Sequence, residues 1–179
     1  MAKWIIDPDH SGATFSVRHM MIAYVRGQFC NITGVIHFDP RDLKKSSAEF
    51  SIDASSISTG IQKRDDHLRS PDFFDVAHHP TITFRSTRIN SVNGNTAKVT
   101  GDLTMHGLTR QIIASVEFAG PVKDPFGEGS SIGFTASAVL DREDFGILWN
   151  HPMENDGMMI SRDVKLFIDL EADLATELP

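Results

Sequence analysis

Apolar and polar residues alternate with a period of two over most of this chain, and that period belongs to extended strands that bury one face. Ala13, Phe15 and Val17 alternate with Thr14, Ser16 and Arg18, and Ala48, Phe50, Ile52 and Ala54 alternate with Glu49, Ser51 and Asp53. Between these runs Val25, Gly27 and Phe29 share odd parity, whereas Ile32, Gly34, Ile36 and Phe38 share even parity. A parity switch near Cys30 predicts a β-bulge that bends one long strand. Further on, Ile82 and Phe84 lead to Asn93-Gly94, and Ala97, Val99, Gly101, Leu103 and Met105 lead to a second turn at His106-Gly107. Asn-Gly between alternating runs is a strong hairpin signal. Ile112, Ala114, Val116 and Phe118 come next, then a loop from Pro121 to Gly129, then Ile132, Phe134, Ala136, Ala138 and Leu140. The last run is Val164, Leu166, Ile168, Leu170 and Ala172. Roughly eight strands joined by short turns predict an all-β fold, an up-and-down antiparallel barrel rather than a sandwich.

One segment departs from the period. Thr59-Gly60-Ile61-Gln62 has the form of a capping box and Pro71 is a stop signal, so a helix of about three turns is predicted between them. Ile61, Arg64, Asp65 and Leu68 then share one face. Asp72 is expected to cap a short second turn that carries Phe73 and Phe74, and the whole of residues 60–75 is expected to cover one barrel end. A charged pair in an apolar stripe needs partners, so Arg64 and Asp65 are read as pairing with each other or satisfying strand-end backbone groups. The alternative has Arg64 and His67 meeting the head group of a ligand, because guanidinium suits phosphate.

At 179 residues the chain is the size of one domain, 1–179, and can bury a core without staples. A net charge of -7 and a pI near 5.5 argue against nucleic acid as a partner. Cys30 is the sole cysteine, which excludes an intrachain disulfide and suggests a small buried hydrophobe. No h-region opens the chain, and no apolar run approaches the ~20 residues of a membrane-spanning helix. A cytoplasmic protein with no membrane span is therefore the expectation.

Enzyme motifs are sparse. No Gly-x-Ser-x-Gly is present, and Gly127-Glu128-Gly129 reads as a hairpin connection rather than a phosphate loop. Asp141, Glu143 and Asp144 beside Arg142 read as a solvated strand end. His78-His79 beside Asp75 matches no zinc spacing, and adjacent strand residues point to opposite faces, so no metal is expected. His10, His19, His37, His106 and His151 are scattered and read as surface or locally hydrogen-bonded groups.

In the ordinary case side chains fill an eight-stranded barrel. Here Gly27, Gly34, Gly101, Ala114, Ala136 and Ala138 fall in the inward set and are expected to leave space for an apolar guest. A hydrocarbon there gains roughly 0.8 kcal/mol per buried CH₂.

Several stretches resemble the YceI-like family. They are Trp4-Ile5-Ile6-Asp7-Pro8-Asp9-His10-Ser11, Phe15-Ser16-Val17-Arg18-His19-Met20, Gly27-Gln28-Phe29, Arg64-Asp65-Asp66-His67-Leu68-Arg69-Ser70 and Asp72-Phe73-Phe74-Asp75. Pro80-Thr81-Ile82-Thr83-Phe84, Gly101-Asp102-Leu103-Thr104-Met105-His106-Gly107 and Asp141-Arg142-Glu143-Asp144-Phe145-Gly146 extend the resemblance over essentially the whole chain. It implies a lipocalin-like, extended eight-stranded antiparallel β-barrel with a polyisoprenoid or other long-chain lipid in its centre. Many members carry a signal peptide, which this sequence does not show.

The expected lining comprises Phe15, Val17, Phe29, Phe50 and Ile52, then Phe84, Val99, Leu103 and Phe134. Arg64, His67 and Leu68 join it from the helix, and Phe73, Phe145 and Trp149 are placed near an opening. A carrier or sequestering protein without catalytic residues is expected, its only bound group being the lipid: a polyisoprenoid, prenyl phosphate, quinone or fatty-acid derivative. Two alternatives stand beside it: an enzyme that modifies the chain in the same cavity around Arg64, Asp65 and His67, and a filled barrel that acts through its surface. An imperfectly closed edge would also support a homodimer.

Overall fold

The computed structural model describes residues 1–175 apart from 126, 128, 155 and 156. Its strands are β1 (Ala2–His19), β2 (Ala23–Phe29), β3 (Ile32–Phe38), β4 (Ser47–Asp53), β5 (Thr81–Asn93), β6 (Thr96–Met105), β7 (Leu108–Lys123), β8 (Ser130–Asp141) and β9 (Ile160–Leu174), with one helix, α1 (Gln62–Arg69). Every pairing is antiparallel, neighbours follow chain order from β3 to β9, and β9 pairs with β1 to close the sheet. The first half of β1 pairs with β3, from Ala2–Phe38 to Ile5–Val35, and the second half pairs with β2, from Ala13–Phe29 to His19–Ala23. β2 and β3 are thus one strand broken at Cys30-Asn31, and the result is a closed eight-stranded barrel. Asn31 sits at a φ of 58°, which lets Phe29 and Ile32 both bury and produces the parity switch. The exposed edge of β2 is met by Ser58, which exchanges two backbone hydrogen bonds of 2.9 Å with Gln28.

Two connections follow directly from local chemistry. His106 and Gly107, with φ of 52° and 74°, make the two-residue turn between β6 and β7 whose left-handed centre matches strand twist. Gly94, at φ 47°, begins the turn between β5 and β6. No helix among the described residues is long and apolar enough to cross a membrane.

Several local expectations are corrected. The helix has eight residues rather than three turns, and Thr59 does not cap it: Ile61 holds the N-cap position with no side-chain bond. Thr59 is drawn away because its hydroxyl donates to the Asp65 carboxylate and accepts from Arg64 Nε at 2.7 Å. Ile61 is 53% exposed, so the apolar stripe begins at Arg64 and Leu68. The short second turn forms at 71–74, but Asp72 does not cap it; its carboxylate accepts from His67 Nε2 at 2.8 Å. Pro121 belongs to β7, which shortens the expected loop to 124–129, and Glu128 within that loop lies outside the described residues. Cys30 is exposed at the strand break rather than buried. Arg142 is only 5% exposed, so the charged run at 141–144 is not simply a solvated strand end.

Candidate ligand-binding cavity

All connections at one barrel end converge into a cap: the turn after β1, the segment 54–80 that includes α1, the β6–β7 turn, and the long connection from β8 to β9. The opposite end carries a cluster of buried side chains beside the cavity. There Trp4, Ile6, Ile132 and Ala172 are buried on paired strands, and Phe38 lies edge-on to Phe118 and Phe134 at centroid distances of 5.0 and 5.5 Å. Between the two ends the interior is hollow. The cavity has a volume of about 400 Å³ and its wall is almost wholly apolar.

Of the residues expected to line it, Phe15, Val17, Phe29, Phe50 and Ile52 do so, as do Phe84, Val99, Leu103 and Phe134. Arg64, His67 and Leu68 from α1, with Phe73 and Trp149, form the capped end of the same wall. Phe145 does not. It is 1% exposed, packed behind the wall, and its carbonyl accepts from His106 Nδ1 at 3.0 Å. Parity could not separate it from a lining residue, because it belongs to a 3-10 turn at 142–145 rather than to a strand.

The inward glycines act differently from expectation. A Cβ at Gly27 would overlap the Phe15 ring, and one at Gly101 would overlap the Phe84 ring. At Gly34 the carbonyl of Glu49 and the backbone of Phe50 already occupy the space. Glycine there seats neighbouring rings against the wall, and the open volume lies where Ala114, Ala136 and Ala138 present short side chains. Phe50 and Phe84 stack with centroids 5.2 Å apart.

The cap is held by polar groups facing backbone. Arg64 Nη2 donates to the Thr59 carbonyl at 3.1 Å, and Arg69 donates to the carbonyls of Ser55 and Ile57 at 2.8 and 2.7 Å. Asp65, 6% exposed, accepts from the Thr59 amide at 2.8 Å. Burial pushes its carboxyl pKa up, but the two Thr59 bonds, with Arg69 and Arg64 nearby, outweigh this and hold it below its ordinary value. Arg64 and Asp65 therefore meet at Thr59 rather than as an ion pair. His67 packs edge-on against Phe73 and Trp149 at 5.0 and 4.9 Å and is bonded to Asp72, so it does not form one polar centre with Asp65.

Arg142 lines the cavity too, although its acidic neighbours gave it the look of a surface charge. Its guanidinium donates to the carbonyls of Ser161 (3.0 Å), Ile147 (2.6 Å) and Trp149 (3.0 Å), pinning the β8–β9 connection over the barrel. Nη2 has no hydrogen bond among the described residues and stands 4.0 Å from Glu143 Oε1. Burial lowers the arginine pKa, against the opposing pull of Glu143 and Asp141. The available signal was an arginine flanked by acids just after the alternating apolar run that ends in Leu140; Asp141, the last residue of β8, caps the next turn by accepting from the Glu143 amide at 2.9 Å.

Residues 4–172 match the sequence profile of the YceI-like domain. A UPF0312 protein of Staphylococcus aureus is 34% identical over 175 residues, which cover 98% of this chain and 99% of that protein. The crystal structure of Burkholderia cenocepacia BcnA superposes with a TM-score of 0.81 at 23% identity, over 96% of this chain and 99% of that one. A structure described as a polyisoprenoid binding domain from Saccharophagus degradans, implicated in plant cell wall breakdown, superposes at 0.71 with 16% identity, over 98% of this chain and 100% of that one. Profile, relative and barrel all cover nearly the full length, and on that ground the chain belongs to the YceI-like family.

Proposed function

We propose that the protein binds and carries or sequesters a long-chain apolar lipid of the polyisoprenoid class. The observation that carries this reading is the capped hollow of about 400 Å³ with an almost wholly apolar wall. A flexible hydrocarbon gains roughly 0.8 kcal/mol for each CH₂ it buries, so about ten carbons suffice for micromolar binding before ordering costs. The wall has no polar ladder that would select a hydrated ligand, and the cationic groups at the cap, Arg64 and Arg142, suit a ligand with a polar or anionic head. The polyisoprenoid binding domain of Saccharophagus degradans supports the choice of lipid class through its shared fold.

The test is native purification followed by solvent extraction and mass spectrometry, with displacement of an apolar fluorophore by farnesol or a longer prenyl alcohol. A co-purifying prenyl lipid, or submicromolar displacement, supports the reading. A barrel that carries no lipid and releases no fluorophore to any prenyl chain overturns it. Incubating the loaded protein and re-extracting distinguishes a carrier, which returns the lipid unchanged, from an enzyme that converts it.

A further inference from the structure

Away from the cavity, Asp75 and His79 in the segment before β5 meet His106 in the β6–β7 turn. One donor atom of each lies within 4.8 Å of the other two, and all three side chains are partly buried. The two imidazoles cross edge to face with centroids 5.0 Å apart. Both are seated on glycine backbone: a Cβ at Gly107 would come within 2.7 Å of His79 Cε1, and one at Gly146 within 3.4 Å of His106 Nδ1. These glycines have φ of 74° and 73°, a left-handed backbone that favours glycine at both, and at Gly107 the His79 ring also takes the space of a Cβ.

The hydrogen bonds around the group leave both imidazoles a free nitrogen. His106 Nδ1 donates to the Phe145 carbonyl at 3.0 Å, which assigns the tautomer and leaves Nε2 with its lone pair. Both oxygens of the Asp75 carboxylate face His78 Nδ1, at 3.0 and 2.9 Å, and keep further lone pairs for an ion, while the Asp75 carbonyl accepts from the His79 amide at 2.9 Å, fixing the turn that presents both ligands. Among the described residues the His79 ring has no hydrogen bond, and the three side chains make none with one another. A ligating imidazole anchored through its second nitrogen to a carbonyl, beside a carboxylate held by an outer donor, is how protein metal sites orient their ligands.

We propose that Asp75, His79 and His106 bind a divalent transition-metal ion, with water completing its coordination. Two imidazoles and one carboxylate form a borderline donor set suited to zinc or cobalt rather than to calcium or magnesium. A tetrahedral zinc site places its donors about 3.4 Å apart, a closure that small side-chain rotations supply. The ion would tie the segment behind Phe73 and Phe74 to the β6–β7 turn and, through the Phe145 carbonyl, to the β8–β9 connection, so its binding would stiffen the cap. The inference stands on these residues alone and is independent of what fills the barrel.

Tag-free protein stripped with chelator is titrated with ZnCl₂ by calorimetry and with CoCl₂ by visible absorption, and its melting temperature is followed against zinc. One ion per chain is expected, with a melting temperature that rises with each decade of zinc. Affinity should fall at least about tenfold in His79→Phe and in His106→Asn, the latter keeping a side-chain donor for the Phe145 carbonyl and tolerating the left-handed φ. Metal-free melting of each variant reports folding, and His79→Phe decides the matter if His106→Asn is unstable. His10→Gln should leave binding unchanged; it removes the histidine of the other three-donor group, Asp7, His10 and Glu171. Absence of saturable binding, binding that survives His79→Phe, or binding lost in His10→Gln overturns the proposal.

Discussion

The two halves of the barrel interior are written in the same alternating code and come out differently. Trp4, Ile6, Ile132 and Ala172, side by side on β1, β9 and β8, are buried and line no open space; a few residues along the same strands, Ala13, Val17, Ala138 and Leu166 face a hollow. Both regions satisfy the period of two. What separates them is residue size summed over all strands at one level. The packed floor combines an indole with branched side chains, while the middle pairs short alanines with phenyl rings pressed against glycine. Dry therefore does not mean full, and the cavity is a property of layers rather than of strands.

The difference can be attacked from its largest consequence downward. In the packed floor, Ile132→Ala opens a void with no guest to fill it and should cost about 3–4 kcal/mol in denaturant unfolding. The matching Ile168→Ala, on a wall that already faces space, should cost about 1–2 kcal/mol by the area it no longer buries. Equal costs at the two positions would dissolve the distinction between floor and hollow.

Filling the hollow should have the reverse signature. Ala138→Trp places an indole where the ligand would lie, so prenyl-lipid affinity should drop on the order of 100-fold, about 2.7 kcal/mol, while the melting temperature changes little. Unimpaired binding in that variant would mean that the ligand lies elsewhere.

The smallest effect concerns the cap. Asp65→Asn weakens two bonds to Thr59 and should destabilise by about 1–2 kcal/mol at neutral pH. Because the folded carboxyl titrates below its ordinary 3.8, its contribution is complete above that value and fades as pH falls through the lower folded pKa. Wild type and variant should thus converge in acid, and a gap that stays constant through that range would show that the Thr59 contacts do not depend on the charge of Asp65.

Most of the strand plan is legible in the chain. The parity switch at Cys30 marks the break between β2 and β3, and Asn93-Gly94 and His106-Gly107 mark their hairpins. Reading fails where a residue answers to something distant. Thr59 resembles a helix cap, yet two charged groups on α1 claim its hydroxyl. Arg142 resembles a surface charge, yet of the three carbonyls it holds, two come from the connection folded over it and one from the start of β9. His79 and His106 lie too far apart in sequence for any spacing rule, and the strand pairing brings them together.

By itself, then, the sequence determined that the chain forms a curled antiparallel sheet with one dry face, because alternation is decided between residues two apart. Tertiary structure alone decided that the dry face encloses a hollow, that Phe145 stays behind the wall, and that two histidines share a corner with Asp75. Those outcomes depend on side chains that meet across the barrel axis or between connections, where volume and geometry add up over strands whose order along the chain carries no record of the sum.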